Sequence, residues 1–175
     1  MQNLNRFKIL GLDISSTATG WAVINEAREL VDYGLIKPKG EPYDRLQFTK
    51  TALIKILVIE KPDYICIEDM IAFRNGLTTK LLNAFSGVCG LAAFEFNGRP
   101  PRMIASSSIK AFLGVNPRAI KRTGGDSLAV KEAVYTAVNN IYKLDIHPAD
   151  PRFKNRHDIS DAIGAALKYY EELKP

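Results

Sequence analysis

Phe7-Lys-Ile-Leu-Gly-Leu-Asp13 is an apolar run that ends in a carboxylate, and its form predicts a short buried strand. Tyr64-Ile-Cys-Ile-Glu68 repeats this arrangement later in the chain. Ligands of open α/β sheets bind beyond the carboxyl ends of parallel strands. We therefore expect Asp13 and Glu68 to emerge side by side at one edge of a sheet.

Two more carboxylates, Asp158 and Asp161, begin a predicted helix over 158–173. Residues three apart on a helix share a face, so both side chains can point at the crevice that holds Asp13 and Glu68. Clustered carboxylates repel one another unless a cation lies between them. The sequence predicts a site for Mg²⁺, with Mn²⁺ as a substitute, and two ions per active site.

The remaining sequence predicts strands and helices in an α/β order. Strands are predicted at 7–13, 20–26, 30–37, 64–68 and 102–105, and helices at 43–60, 77–96, 107–113, 128–142 and 158–173. Short polar turns join the first three strands, which predicts an antiparallel meander followed by parallel strands in a mixed five-stranded sheet flanked by helices. The segments 114–127 and 143–157 are rich in Gly, Pro, Asp and Arg and are predicted to be loops.

Length and composition predict one domain over residues 1–175, because a chain with 46% hydrophobic residues can bury one sizeable core. No apolar run approaches the roughly 18 to 20 residues that span a bilayer, and the N-terminus lacks a signal-peptide core. We expect a cytoplasmic protein with no membrane contact. Cys66 and Cys89 fall in predicted buried elements without metal-like spacing, and they are interpreted as reduced core residues.

Positive charge is concentrated between Lys110 and Arg156, where nine basic residues face four acidic ones, whereas the other residues balance. Lys and Arg supply most sequence-independent affinity for phosphodiesters. A basic segment beside an acidic metal site indicates a nucleic-acid substrate. The alternative is an ordinary solvated surface.

Several groups of residues, spread over nearly the whole chain, match a known family in order and spacing. They are Ile9-Leu-Gly-Leu-Asp13, Thr19-Gly-Trp-Ala-Val23, Ile67-Glu68 followed by Asn75, Ser86-Gly-Val88, Ser108-Ile-Lys110 with Gly114, Ala129-Val-Lys131, and Asp158-Ile-Ser-Asp161-Ala-Ile-Gly-Ala165. With them the chain resembles the RuvC family of Holliday junction resolvases, and the order of its elements resembles the ribonuclease H-like fold.

This resemblance implies a metal-dependent endonuclease that resolves four-way DNA junctions by paired nicks, leaving 5′-phosphates and 3′-hydroxyls. The family's metal-binding and catalytic acids match Asp13, Glu68, Asp158 and Asp161. Lys110 and Lys131 match basic residues that contact DNA near the scissile phosphate. Either lysine could stabilise charge on the phosphate during attack, and Lys131 is the predicted catalytic one.

The chain departs from the bacterial pattern in two places. The segment 114–127 is longer and carries three further candidate DNA-binding residues, Arg118, Lys121 and Arg122. The aromatic wedge of bacterial members is replaced by Ile71, and Phe73 and Arg74 are the nearest candidates to stack on a base and bind a phosphate. The longer segment is similar to that of phage-type members, which would place the protein in the cytoplasm of a bacterial host. The departures leave open whether cutting extends from four-way junctions to forks.

Each acid also has a simpler interpretation. Asp13 could cap the following turn, and Asp158 with Asp161 could cap the final helix. Asp69 could replace Glu68, although strand alternation lets only one of the two face the cluster.

One histidine and the function as a whole are also open to more than one interpretation. His157 could join the site as a ligand or proton shuttle. The chain could bind branched DNA without cutting it, or be a phosphotransferase of the actin and sugar-kinase type, although 175 residues leave no room for a second lobe.

The substrate's two-fold symmetry predicts a homodimer with one metal site per subunit. The candidate interface is the helix 77–96, because its apolar residues cover more than one stripe and its small residues Gly87, Gly90, Ala92 and Ala93 permit close approach. On this interpretation Leu82→Glu and Phe85→Glu would break the dimer. The competing interpretation is a monomer core helix covered by the helix 128–142.

Overall fold

Among the described residues, five strands form one sheet with helices packed on both of its faces. The computed structural model describes residues 7–69, 76–144 and 146–174. The strands are β1 Lys8–Asp13, β2 Thr19–Asn25, β3 Leu30–Ile36, β4 Tyr64–Asp69 and β5 Arg102–Ala105; the helices are α1 Pro42–Glu60, α2 Gly76–Asn97, α3 Ser106–Phe112, α4 Pro117–Arg122, α5 Ser127–Tyr142 and α6 Arg156–Leu173. A 3₁₀ turn, Phe153–Asn155, precedes α6.

The sheet has the order β3-β2-β1-β4-β5. The first three strands pair antiparallel, whereas β4 pairs parallel with both β1 and β5. This is the mixed sheet that the sequence predicts, in a ribonuclease H-like arrangement. Leu12 of β1 lies opposite Ile67 of β4, so the next residue of each strand, Asp13 and Glu68, lies at the same, carboxyl-terminal edge of the sheet.

Strand alternation divides the core into two layers. Ile9 of β1 faces α5 and α6, whereas Leu10 and Leu12 face α1 and α2. All three side chains are fully buried. β1 is therefore covered on both faces, which explains why its sequence is a continuous apolar run.

Two glycines allow α6 to lie directly on the sheet. A Cβ atom at Gly11 would overlap the carbonyl oxygen of Ala162, and one at Gly20 would overlap the carbonyl oxygen of Asp158. Gly20 pairs with Asp13 across β1 and β2. This close approach brings the first turns of α6 to the end of β1, where the site is built.

The loop predicted over 114–127 is wrong in part, because it contains the helix α4. The Asn116 side chain accepts a hydrogen bond from the Ala119 N–H (3.1 Å), and Pro117 follows at the first helical position. Both are ordinary helix-start signals. The helix is short, and its signals lie within a segment that the Gly and Pro content marks as loop.

The loop predicted over 143–157 is also wrong at its end. It includes the 3₁₀ turn, and α6 begins at Arg156, two residues earlier than predicted. Asn155 occupies the N-cap position, so Asp158 is the third residue of the helix and the N-cap interpretation of Asp158 fails. The Asn155 amide donates to Asp158 Oδ2 at 3.0 Å.

Helix α2 packs on α1, and not under α5 as the competing interpretation held. Phe85, Ala92 and Ala93 are buried in this layer, and Leu82 is buried beside the acidic cavity described below, so none of these four side chains is exposed for an interface. A different stripe of α2 is exposed: Ala84, Gly87, Leu91 and Phe94.

The two cysteines are free and buried, as predicted. Burial raises the pKa of Cys89 to about 12 and raises that of Cys66 as well, so both are inert thiols. Among the described residues, no helix combines the length and the apolar character that crossing a bilayer would require.

Candidate metal centre

A cavity of about 310 Å³ opens at the carboxyl ends of β1 and β4. Its lining comes from the sheet, from the helices α2, α3, α5 and α6, and from the turn after β1: Asp13, Ile14, Ser15, Glu68, Asp69, Leu82, Ser106, Lys110, Lys131, Val134, Asp158 and Asp161. All four predicted acids and both predicted lysines, Lys110 and Lys131, meet here. Residues far apart in sequence thus share one crevice, as the predicted strand and helix ends require.

Three of the acids form a compact ligand set. Asp13, Glu68 and Asp161 each offer one carboxylate oxygen, and these oxygens lie within 4.8 Å of one another. In the described part of the chain, Glu68 Oε2 is buried without a hydrogen-bond partner. A buried carboxylate oxygen without a donor needs a cation or water nearby. Hard oxygen ligands at this spacing fit Mg²⁺ or Mn²⁺.

Asp158 lies beside this set rather than in it. It lines the same cavity, but its Oδ2 accepts the hydrogen bond from Asn155, and it is outside the group of oxygens that lie within 4.8 Å among the described residues. Its charge still reaches the set, because it helps to raise the pKa of Asp13 and of Asp161.

The site is electrostatically strained without a cation. Burial, followed by repulsion from Glu68, raises the pKa of Asp161 to about 7. Burial and then the charges of Glu68, Asp161 and Asp158 raise the pKa of Asp13 well above its usual range. Several carboxylates held close together in a buried place favour either protons or a bound cation.

Lys110 and Lys131 line the same cavity from α3 and α5. The Lys110 ammonium donates a hydrogen bond to Ser106 Oγ, and Lys131 is exposed on α5. Both lysines lower the pKa of Asp161, which shows that their charges act on the acid cluster. The ammonium groups of these lysines can contact a phosphate directly, whereas the carboxylates can bind it only through a metal ion.

Asp69 follows Glu68 on β4 and also lines the cavity. It is exposed, and the oxygens that lie within 4.8 Å in the described structure belong to Glu68 and not to Asp69. The geometry therefore favours Glu68, as strand alternation predicts.

His157 is not among the residues that line the cavity. It is buried, and its Nε2 lies 3.0 Å from Glu132 Oε1 of α5. Arg156 donates to the same Glu132 oxygen, and its guanidinium stacks 4.1 Å from the Phe153 ring centre. This cluster attaches the start of α6 to α5 and so fixes Lys131 relative to the acids. Sequence reasoning missed Glu132, because nothing in its spacing distinguishes it from a surface residue.

The predicted cations of the long segment are on α4. Arg118, Lys121 and Arg122 lie there, and Arg118 also lines a groove that shares Lys110 with the acidic cavity. Phe73 and Arg74, like Ile71, lie outside the described residues.

Sequence comparison identifies relatives over most of the chain. The family profile "Crossover junction endodeoxyribonuclease RuvC" matches residues 9–169. A RuvC of Myxococcus xanthus is 32% identical over 165 residues, covering 91% of this chain and 78% of the relative. A RuvC of Ehrlichia ruminantium is 29% identical over 175 residues, covering 95% and 98%.

Structural comparison confirms the fold. The RuvC of Thermus thermophilus, solved in complex with a Holliday junction substrate, superposes with a TM-score of 0.71 at 18% identity, covering 95% of this chain and 94% of that one. The yeast mitochondrial Holliday junction resolvase gives a TM-score of 0.58 at 10% identity, covering 93% and 77%.

Proposed function

The chain belongs to the RuvC family of crossover junction endodeoxyribonucleases, and from this premise we propose that it resolves Holliday junctions by paired, metal-dependent nicks. The observation that carries the proposal is the set of carboxylate oxygens from Asp13, Glu68 and Asp161, which lie within 4.8 Å of one another beside two lysines. The chain therefore contains the acidic residues that metal-dependent cleavage requires. A protein that only binds junctions would not need them.

Asp13, Glu68 and Asp161 would hold the divalent cations, with Asp158 adding negative charge at the rim. When bound, such cations activate water and stabilise the charge that develops on the scissile phosphate, so that a 5′-phosphate and a 3′-hydroxyl result. Lys110 and Lys131 bind the phosphate from the part of the cavity lined by α3 and α5 and orient it toward the acids. Both lysines also offset negative charge in the transition state.

The basic surface of α4 extends this phosphate contact. Arg118, Lys121 and Arg122 lie on one short helix beside the groove that continues from Lys110. We assign them to backbone contacts with a junction arm, which position the DNA without reading its sequence. Phe73 and Arg74 keep their predicted role at the branch point.

The two cuts require two active sites, and we propose that the exposed stripe of α2 joins two copies. Leu91 is 53% and Phe94 48% exposed, and a Cβ at Gly87 would meet no other element of the described structure within 4 Å. Spacings of three and four residues align Ala84, Gly87, Leu91 and Phe94 on one face. The small residues Ala84 and Gly87 permit two copies of the helix to approach closely, and Leu91 and Phe94 supply apolar surface that the contact would bury.

The test is a parallel assay of the purified protein with Mg²⁺ on four-way junctions, forks, duplex, single strands and RNA/DNA hybrid. We expect symmetric nicks in the four-way junction, with ligatable ends. Cutting of forks would extend the substrate range to other branched DNA. Junction binding without any cutting would instead support the non-cleaving alternative.

The family membership removes the basis for the phosphotransferase alternative. Single-domain organisation, a cytoplasmic location and a phage origin stay predictions from the sequence.

A further inference from the structure

A groove between α3 and α4 lies next to the acidic cavity and has no role in metal binding. Its volume is about 530 Å³, within the roughly 300 to 1,000 Å³ of small-molecule pockets. It is lined by Ser107, Lys110, Ala111, Gly114, Val115, Asn116, Pro117 and Arg118. The stretch from Ala111 to Pro117 supplies a mostly nonpolar wall, and both charged residues of the lining, Lys110 and Arg118, are cations.

The wall of this groove is preformed. The Val115 N–H donates to the Lys110 carbonyl at 2.8 Å, which closes the end of α3. The Val115 side chain packs with Val130 and Val134 of α5 in a small core of its own. Ile120 of α4 packs against the same small core, so α4 is attached to α5 and the groove does not need to be created by a ligand.

Lys110 connects the groove to the metal centre, because it lines both cavities. Because the groove and the metal centre share Lys110, a scissile phosphate held at Asp13, Glu68 and Asp161 would place a neighbouring nucleotide of the strand near the groove. The groove would then offer that nucleotide a concave surface. Its cations suit the phosphates on either side, and its nonpolar wall suits the face of a base.

We propose that the α3–α4 groove binds one unpaired nucleobase of the cleaved strand, adjacent to the scissile phosphate. The inference rests on the proposed function. A base at a branch point has lost a stacking neighbour, so moving it into a protein pocket costs least there. The groove thus favours DNA whose cleavage position is next to a branch, because a base inside a continuous duplex has stacking neighbours on both sides to lose as well as its pairing partner.

The test is a scan of abasic sites along the cleaved strand of a four-way junction, covering the nucleotides on each side of the cut. One position should reduce the cleavage rate about tenfold, as expected when one base no longer packs against the nonpolar wall. Ala111→Trp fills the groove, since Ala111 is exposed and lines it. This variant should cut the intact junction about tenfold more slowly, and the sensitive abasic site should cause no further reduction.

Leu128→Trp is the matched control, because Leu128 is 54% exposed outside the groove. It should keep both the normal rate and the abasic-site effect. Ser107→Phe fills the groove from α3 and serves as a second variant in case Ala111→Trp does not fold.

Binding gives a readout that does not depend on cutting. 2-Aminopurine at the sensitive position should brighten when the unaltered protein binds in EDTA, because the base leaves its stack, and Ala111→Trp should remove this change. A flat abasic scan, or an equal abasic-site effect in Ala111→Trp, would overturn the inference. Junction binding with brightening but no cutting would refute the proposed function alone.

Discussion

At the scale of single residues, the acid set predicts that catalysis and binding separate. Asp161→Asn or Glu68→Gln should reduce Mg²⁺-dependent cutting by more than about 100-fold, because each removes a ligand charge. Junction affinity should stay equal or increase, since the basic surface is intact. Single-turnover cleavage and gel-shift titration measure the two effects.

Asp69→Asn is the control for this prediction. Asp69 lines the same cavity, but its oxygens are outside the compact ligand set. It should affect cutting much less than Glu68→Gln. The reverse order would reassign the ligand on β4.

The raised pKa of Asp161 makes the stability of the metal-free protein depend on pH. Its pKa is about 7 in the folded protein against 3.8 ordinarily, so the folded state holds a proton in this window that the unfolded chain has released. Stability therefore falls as pH rises from about 4 to 7, and the destabilisation is complete above that range. Asp161→Asn removes this contribution.

In EDTA, the Tm of Asp161→Asn minus that of the unaltered protein should increase between about pH 5 and pH 8. Mg²⁺ should raise the Tm of the unaltered protein most at the upper end, where the acids are ionised. A Tm difference that does not change with pH would show that folding does not raise the pKa of Asp161.

At the scale of elements, the close approach of α6 to β2 predicts that Gly20→Ala damages the site. A Cβ there would overlap the carbonyl of Asp158, so α6 must shift away from Asp13. We expect the free energy of unfolding to fall by about 1–3 kcal/mol and Mg²⁺-dependent cutting to fall by a larger factor. Urea unfolding and cleavage assays measure these.

Gly90→Ala is the matched control, because the nearest atom to its added Cβ is Pro101 Cγ at 3.9 Å. It should be neutral or stabilising, since alanine is the better helix former. If both variants behaved alike, the close approach at Gly20 would not position the site.

The helix α4 predicts a salt effect. Neutralising Arg118, Lys121 and Arg122 together should weaken junction binding and reduce the slope of log affinity against log salt by about 0.9 for each phosphate that the protein no longer touches. Exposed lysines elsewhere, Lys39 and Lys55, provide the control double variant. An unchanged slope would mean that α4 is ordinary solvated surface.

At the scale of the whole molecule, the exposed stripe of α2 predicts the state of assembly. Leu91→Glu with Phe94→Glu should convert a dimer to a folded monomer, since both side chains are exposed in one copy. Ile59→Glu, at a 72% exposed position on α1, should leave the dimer intact. Sedimentation equilibrium at micromolar concentration distinguishes these results, and an unaltered protein that stays monomeric on a junction would refute the dimer.

The sequence by itself was enough for the sheet, its mixed strand pairing and the family. Strands such as β1 are continuous apolar runs because both of their faces are buried, and Asp13 and Glu68 follow these runs directly in the sequence. Helix ends were less well predicted. The start of α6 moved to Arg156, because the preceding 3₁₀ turn and Asn155 supply a beginning that apolar periodicity does not mark.

Only the tertiary structure showed that Asp158 lies outside the compact ligand set and that His157 lies beside Glu132. It also showed that Leu82 and Phe85 are buried, whereas Leu91 and Phe94 are exposed. The physical reason is the same in each case. A sequence shows which residues lie at the end of an element or on its apolar side. Which face of α2 meets α1, and how closely α6 approaches Gly20, depend on packing between elements that are distant in sequence.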